Sequence, residues 1–506
     1  MPSTLLSLAQ WARALRLADI PDDVLRLARL QHIAAAGASR ASVATPAGAA
    51  LADKLAPGSA AVAGGRTADP LAAAQLHAGL TALHDYDDYL LAGRASLALV
   101  PTVWASAAGH TVDELLIATI VGNEIGGRIG LALLLGPRHT RTDTFVPAAA
   151  AAAAAAWLAG LDADGIGRAV SIALQQGKRL TPTDTAADPA AVGARTVRAA
   201  MDAVGRSRTE GSLDLLDEHS PFYGPLSKQP LLGAYGGLGQ TWLTRTLVIK
   251  PEAVMAWAGV AVQGVHEILK RHVKASDKRL RAEQVERIEV RVGLLPWAMD
   301  HASAGADVHS PVALAWSLKR AIGVLVARHE LTPAVLTPEA LAEKATEIEH
   351  VASRVEVVHD WALSVSTLEG FTRVLGPLFA GLSPMELRQV RTRLKEAGGW
   401  PQWHRQDLWP ILRARPDRVV RNLQAPSGDL GEIDLTEFRW QLPIEIKLYT
   451  TRGGWWPERR ALPLGSVATG DIEAVALAKH GGADAAALAA TEGSTDGSAW
   501  VKGLLA

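Results

Sequence analysis

The chain has 506 residues, enough for two domains or one large domain with insertions. Apolar residues make up 48% and charged residues 20%, the balance of a folded globular protein, and 51 basic against 52 acidic residues leave a net charge of -1. That neutrality gives no overall electrostatic ground for binding DNA, RNA or an anionic membrane, and the lack of cysteine excludes disulfides, thiolate nucleophiles and Cys-ligated metal centres.

The opening stretch, LAQWARALRLADIPDDVLRLARL, carries Arg13, Arg16 and Asp19 among its apolar positions, which suits an amphipathic helix and not a signal peptide. Up to about residue 245 the chain reads as helix after helix, broken by short Pro/Gly stretches. Asp69-Pro70 is expected to cap and open a helix over Leu71–Leu83, and Thr111 with Glu114 to form a capping box. Phe145 to Leu161 includes nine consecutive alanines, Ala148 to Ala156. It is the stretch to weigh as a membrane span, and weakly hydrophobic alanine favours instead a helix that neighbours approach closely. The protein is expected to be cytoplasmic.

After Ile249 the texture changes. Gln284–Val292, Val355–Val358 and Ile444–Tyr449 alternate apolar and polar residues as half-exposed strands do, with helical stretches at Pro311–Arg328 and Pro338–Val351 between them. The expected fold is mainly α. A helical domain spans 1–249, with 465–506 folding back onto it, and a smaller α+β lid domain spans 250–464. A Trp/Pro/Arg-rich insertion at about 370–437 fits neither pattern.

Several local motifs, in this order, resemble those of the MmgE/PrpD family, which includes 2-methylcitrate dehydratase, cis-aconitate decarboxylase and iminodisuccinate epimerase. GRTADPLAAAQLHAGLTALHDYDD is similar to the family's helix ending in Asp-Phe-Asp-Asp, here Asp85-Tyr86-Asp87-Asp88. VGNEIGGRIG resembles its Glu…Arg-Leu-Gly helix, with Glu124 and Arg128 in place. LGQTWLTRTLVIKP resembles the crossing into the smaller domain, which begins at a Lys-Pro pair, here Lys250-Pro251. The resemblance implies a cofactor-free lyase or isomerase, without metal or nicotinamide, acting next to a substrate carboxylate, and a homodimer built mainly through the helical domain. Such chemistry needs a base near its operating pKa and donors for an enolate-like intermediate.

Carried over position by position, the resemblance keeps Asp85 as candidate base and Lys250 as candidate carboxylate-binding lysine. Elsewhere the sequence departs from the family. Tyr89 stands for a small polar residue, and the first family histidine falls at Arg94 or Ala95. The second falls near Arg141, with His139 two residues away as a candidate acid or base. Asp188 replaces a lysine, Ala191 a histidine and Arg320 a tyrosine, and Trp257 lies in a stretch that replaces an aromatic-rich one. Tyr89, Arg94, Arg141, Asp188, Arg320 and Trp257 are therefore candidates to line a polar pocket of altered charge. His77 and His84, seven apart on one helix, could supply a displaced acid or base.

There is no HExxH or His-x-His spacing and no strand-linked GxGxxG, so no metal or nucleotide is expected. The 15 tryptophans leave open a second enzyme class, in which Trp104, Trp257, Trp297 and Trp316 line a pocket that folds a hydrophobic substrate for cyclisation. A third reading is a catalytically silent subunit that binds a ligand or partner. The lysine-to-aspartate exchange at Asp188 reverses charge where the family holds a carboxylate, worth several kcal/mol in a partly buried site. Purified protein is accordingly expected not to turn over 2-methylcitrate or cis-aconitate. Robust consumption of either acid in a spectrophotometric assay would contradict this.

Overall fold

The computed structural model describes the chain except residues 1–2, 135–141, 178–187, 225, 228–229, 303–313, 315–316, 381–391, 393–398 and 425. It is mainly α-helical with a smaller α+β region, as the alternating and helical patterns imply. The caps form where expected. Asp69 accepts from the backbone N–H of Ala72 at 3.2 Å and opens the helix Pro70–Leu83. Thr111 and Glu114 close a reciprocal capping box on the helix Val112–Ala132.

Small residues set the packing of the first region. The helix Thr142–Leu158 carries the alanine run, and Ala148 to Ala156 are all buried. It lies against Val112–Ala132, whose Gly122 and Gly126 face it. A Cβ at Gly126 would sit 2.8 Å from the Cβ of Ala150, and one at Gly122 would sit 2.8 Å from the Ala150 carbonyl oxygen. Glycine opposite alanine thus brings two helices close enough for dense backbone contact. The alanine run is a packing surface. The one described helix long and apolar enough to cross a membrane is Val112–Ala132 and not the alanine segment, and its most apolar stretch is buried throughout inside the protein.

That buried helix carries a complete ion pair. Arg128 and Glu124 are one turn apart and fully buried. Glu124 accepts from the backbone N–H groups of Leu243 and Thr244 at 2.9 Å and from the Thr244 hydroxyl at 2.8 Å. Arg128 donates to the carbonyls of Gly236, Gly237 and Thr241. The pair therefore clips the irregular stretch 236–244 onto the helical core, just upstream of Lys250.

The α+β region centres on a four-stranded sheet of order Val355–His359, Val285–Val292, Ile444–Thr450, Trp455–Arg460. The first pairing is parallel and the other two are antiparallel. Three strands match the alternating segments. The fourth, at the edge, is one that alternation alone did not reveal: it contains Pro457, which an edge strand tolerates. The inward residues Val285, Ile288, Val290, Ile444, Ile446 and Leu448 pack against the helices Ala256–Ser276 and Leu318–Arg328. Pro338–Val351, expected as one helical stretch, is two helices, Pro338–Glu343 and Ala345–Ala352, that meet at Lys344.

Two long-range contacts tie distant segments to the helical region. The helix Ile472–His480, in the chain's last fifty residues, packs on Asp22–Val43, where the Lys479 backbone crosses so close to Gly37 that no Cβ fits there. The end of the Trp/Pro/Arg-rich stretch is ordered by burial: Leu430, Ile433, Leu435 and Phe438 share a cluster with Leu91, Ala92, Leu375 and Phe379. Arg128→Met would strand the Glu124 carboxylate and release three carbonyls, so it is expected to lower unfolding free energy by about 3–5 kcal/mol. Denaturant unfolding measures this, and a loss below about 1 kcal/mol would show that the clip is dispensable.

Candidate functional site

The helix Pro70–Leu83 ends in a Schellman turn. Tyr86 N–H bonds back to the Thr81 carbonyl and Asp85 N–H to that of Ala82, both at 3.1 Å, and Asp85 adopts the left-handed conformation at φ 50. Glycine is the usual residue at this position, and a Cβ there costs of the order of 1 kcal/mol. An aspartate at a strained helix terminus, where the helix dipole also disfavours a carboxylate, points to a use for its side chain.

That side chain is buried and fully engaged. Lys250 Nζ lies 2.8 Å from Asp85 Oδ1 and also donates to the Asp85 carbonyl; the same ammonium is 3.5 Å from Asp87. Arg94 reaches Asp85 at 3.2 Å and grips Asp87 in a two-pronged pair, both bonds 2.7 Å. Lys250 is placed by a ribbon of bridges, Tyr89 to Val248 and Val248 to Ser466, with Ile249 N–H bonded to the Gly465 carbonyl at 2.8 Å. Three distant segments, 85–94, 248–250 and 465–466, therefore converge here.

A third cation comes from the helix Ile472–His480. Lys479 Nζ lies 3.9 Å from the centre of the Tyr86 ring and donates to the Tyr86 carbonyl, and to the Lys250 carbonyl at 3.1 Å. Asp88, buried beside it, has neither carboxylate oxygen in a hydrogen bond. The Ser96 hydroxyl acts on it favourably without meeting full hydrogen-bond geometry.

The titratable groups separate by environment. Burial opposes ionisation of Asp85, but Arg94 and Lys250 together outweigh it and hold its carboxyl down to about 2. Burial pushes Asp88 up to about 7, with the Asp87 charge adding to it and Ser96, Lys479 and Lys250 only partly relieving it. Burial and the neighbouring Lys250 charge bring Lys479 down to about 7. His84, next to Asp85, is lowered to about 4 by burial, so it is neutral, as is buried His77.

The other sequence candidates divide. Tyr89 belongs to the cluster through its bridge to Val248, and its ring stands edge-on to Trp440 at 5.2 Å. Asp188 is an exposed N-cap whose carboxylate accepts from Ala191 N–H at 2.9 Å, a structural task that accounts for it without a pocket. Arg320 sits on the helix Leu318–Arg328, with Nε 3.8 Å from Glu349, away from these partners. Trp257 donates to the Met255 sulfur at 3.4 Å in the first turn of its helix. His139, Arg141 and Trp316 lie outside the described residues. The tryptophans do not share one lining: Trp104 packs in the core on His32 and His77, whereas Trp297 stacks on His301 and His359.

Asp88 and Lys479 were missed from sequence. Asp88 passes for a solvated acid in an acidic turn, and Lys479 for a lysine in the last turn of a helix, where the dipole favours it anyway. Among the described residues no group of three or more His, Asp or Glu is placed to hold a metal ion. A cavity of about 210 Å³ lies elsewhere, lined by Gln175, Gln176, Arg206, Glu210 and Ser212 among others, and includes no member of the cluster.

Because Asp88 has a folded-state pKa near 7 against about 3.9 unfolded, the folded state binds the extra proton between those values. Its contribution is favourable below that window and is lost as pH rises through it. Lys479, lowered in the fold, acts oppositely between pH 7 and its unfolded value, so stability recovers as pH rises there. Melting temperature is therefore expected to fall from pH 5 to pH 7 in the wild type and to fall less in Asp88→Asn. Parallel pH profiles for the two proteins would contradict this.

Residues 6–231 match the family model described as the MmgE/PrpD N-terminal domain. The matched stretch carries Asp85, Asp87, Asp88 and Arg94 and ends before Lys250 and Lys479. No curated protein matches the chain.

Proposed function

Because residues 6–231 match the MmgE/PrpD N-terminal domain, we propose that the chain is a cofactor-independent lyase or isomerase of that family whose reaction centre is the buried charge cluster around Asp85 and Lys250. The carrying observation is the uneven pairing in that cluster: Asp85 is held by Lys250 and Arg94, whereas Asp88 is buried with neither oxygen in a full hydrogen bond, so burial raises its proton affinity. Two carboxyls driven apart by their surroundings are the arrangement that assigns acid and base roles. On this reading Asp88 carries the proton. A base is most effective when its pKa lies near working pH, and Asp85, at about 2, is too weak. Asp85 orients Lys250, and Lys250 with Arg94 stabilises negative charge that develops next to a substrate carboxylate.

The charge inventory also bears on substrate class. Lys250 and Arg94 are already balanced by Asp85 and Asp87. Asp188 and Ala191 stand where the resemblance places further cationic or histidine groups. That favours a small acid with one carboxylate, or a more apolar metabolite, over a tricarboxylate. A homodimer formed through the helical region belongs to the same reading.

A second reading, a catalytically silent ligand-binding member, draws support from the cavity at Arg206 and Glu210, which is separate from the cluster. Proton abstraction next to a carboxylate distinguishes them, because it exchanges that hydrogen with solvent whatever reaction follows. Incubating the wild type with a panel of small monocarboxylic acids in D₂O, followed by NMR, is expected to show exchange in at least one. Asp88→Asn should lower that exchange by about a hundredfold or more with a melting temperature near pH 6 no lower than that of the wild type. Exchange at wild-type rate in the variant would remove Asp88 from the mechanism, and no exchange across the panel would favour the silent member. Asp85→Asn is a poorer test, since it leaves Lys250 and Arg94 underbalanced in a buried site and costs about 3–5 kcal/mol of stability.

A further inference from the structure

The stretch 402–424 departs from the neutral average of the chain. It holds Arg405, Arg413, Arg415, Arg418 and Arg421 against Asp407 and Asp417, five positive and two negative side chains, for a local net charge of +3. Its two short helices, Leu408–Arg413 and Pro416–Leu423, lie along the helix Trp361–Phe379 and turn apolar side chains away from it. Trp409 is 63% exposed, Trp403 54%, Leu408 51% and Leu412 49%, the largest such group on the described surface. Leu412 lies three residues after Trp409 and four after Leu408, so it shares a helix face with each of them. Arg413 stacks on the Trp409 ring with its guanidinium carbon 5.5 Å from the centroid, which places a cation at the apolar tip itself.

We propose that this face is a docking surface for an anionic lipid bilayer. Side chains about half exposed or more project from the body and do not line a groove, which suits insertion into a deformable surface better than capture of a peptide. Trp and Leu flanked by arginines are the composition of helices that lie in a bilayer interface, with the aromatic ring at headgroup depth and the cations on the phosphates. A second copy of the chain is a poorer occupant, since Arg413 and the rest of the net-positive stretch 402–424 would meet their own copies, and like charges across an interface repel. The cluster around Asp85 and Lys250 is not part of this surface, so the two assignments stand or fall separately.

The test is co-sedimentation of the full chain with vesicles of phosphatidylcholine alone and of equimolar phosphatidylcholine and phosphatidylglycerol, at low and high salt. Binding to the anionic vesicles is expected to exceed binding to the neutral ones roughly tenfold or more and to fall with salt. The double variants Trp409→Ala/Leu412→Ser and Arg413→Glu/Arg418→Glu should each lower it by about tenfold while melting temperature holds, because all four side chains are exposed. Equal binding to both vesicle types, or unchanged binding by either variant, overturns the proposal. A concentration-dependent oligomer that the tryptophan/leucine variant dissolves overturns it too, and assigns the face to a second copy.

Discussion

Everything near the candidate site depends on one constraint: three aspartates of a four-residue run are taken out of water, and each needs compensation. Burial of an unpaired carboxylate costs several kcal/mol, so the run is stable only if cations are delivered to it. Arg94 comes from the same loop, Lys250 from the entry to the α+β region, and Lys479 from the helix Ile472–His480. None of these positions is adjustable. Lys250 is held by the Tyr89–Val248–Ser466 bridges, and Lys479 by the tight crossing of its backbone over Gly37. The charge requirement of Asp85-Tyr86-Asp87-Asp88 thus couples segments nearly 400 residues apart.

The compensation is uneven, and that unevenness is what makes the cluster chemically interesting. Asp85 and Asp87 take the cations, while Asp88 keeps two unsatisfied oxygens and a proton affinity near neutrality. A core built for stability alone would favour an asparagine or an apolar residue there, because an unpaired buried carboxyl destabilises the fold. The Glu124–Arg128 pair is the instructive contrast. It is equally buried, yet every main polar atom meets a partner, and its task is to fix the chain that leads to Lys250.

Much of the helical architecture was legible because its signals are local. Asp69-Pro70, Thr111 with Glu114, and the alternating strands all act within a few residues. The match between Asp85 and Lys250 could be read only through motif resemblance, since no local rule links positions 165 residues apart. Asp188 has the opposite character: its frame matches a family lysine, and its local chemistry makes it an N-cap before Pro189. Lys479 carried no sequence signal, and Asp88, though part of the Asp85-Tyr86-Asp87-Asp88 motif, carried none that set it apart from its neighbours, because the character of both arises from burial that only the assembled fold creates. Of the tryptophans read as a shared lining, Trp104 and Trp297 sit in separate packing sites among histidine rings, and Trp257 bonds to the Met255 sulfur.

The most direct measurement of this account is a pH titration of side-chain carboxyl signals in protein labelled with ¹³C at aspartate, with Asp88→Asn and Asp85→Asn used to assign them. The account predicts one buried carboxyl with a midpoint near pH 7, absent from the Asp88 variant, and another that stays ionised down to about pH 3, absent from the Asp85 variant. If Asp88 instead titrates near pH 4, like a solvated aspartate, the cluster is an ordinary buried salt-bridge network and the proposed proton carrier does not exist.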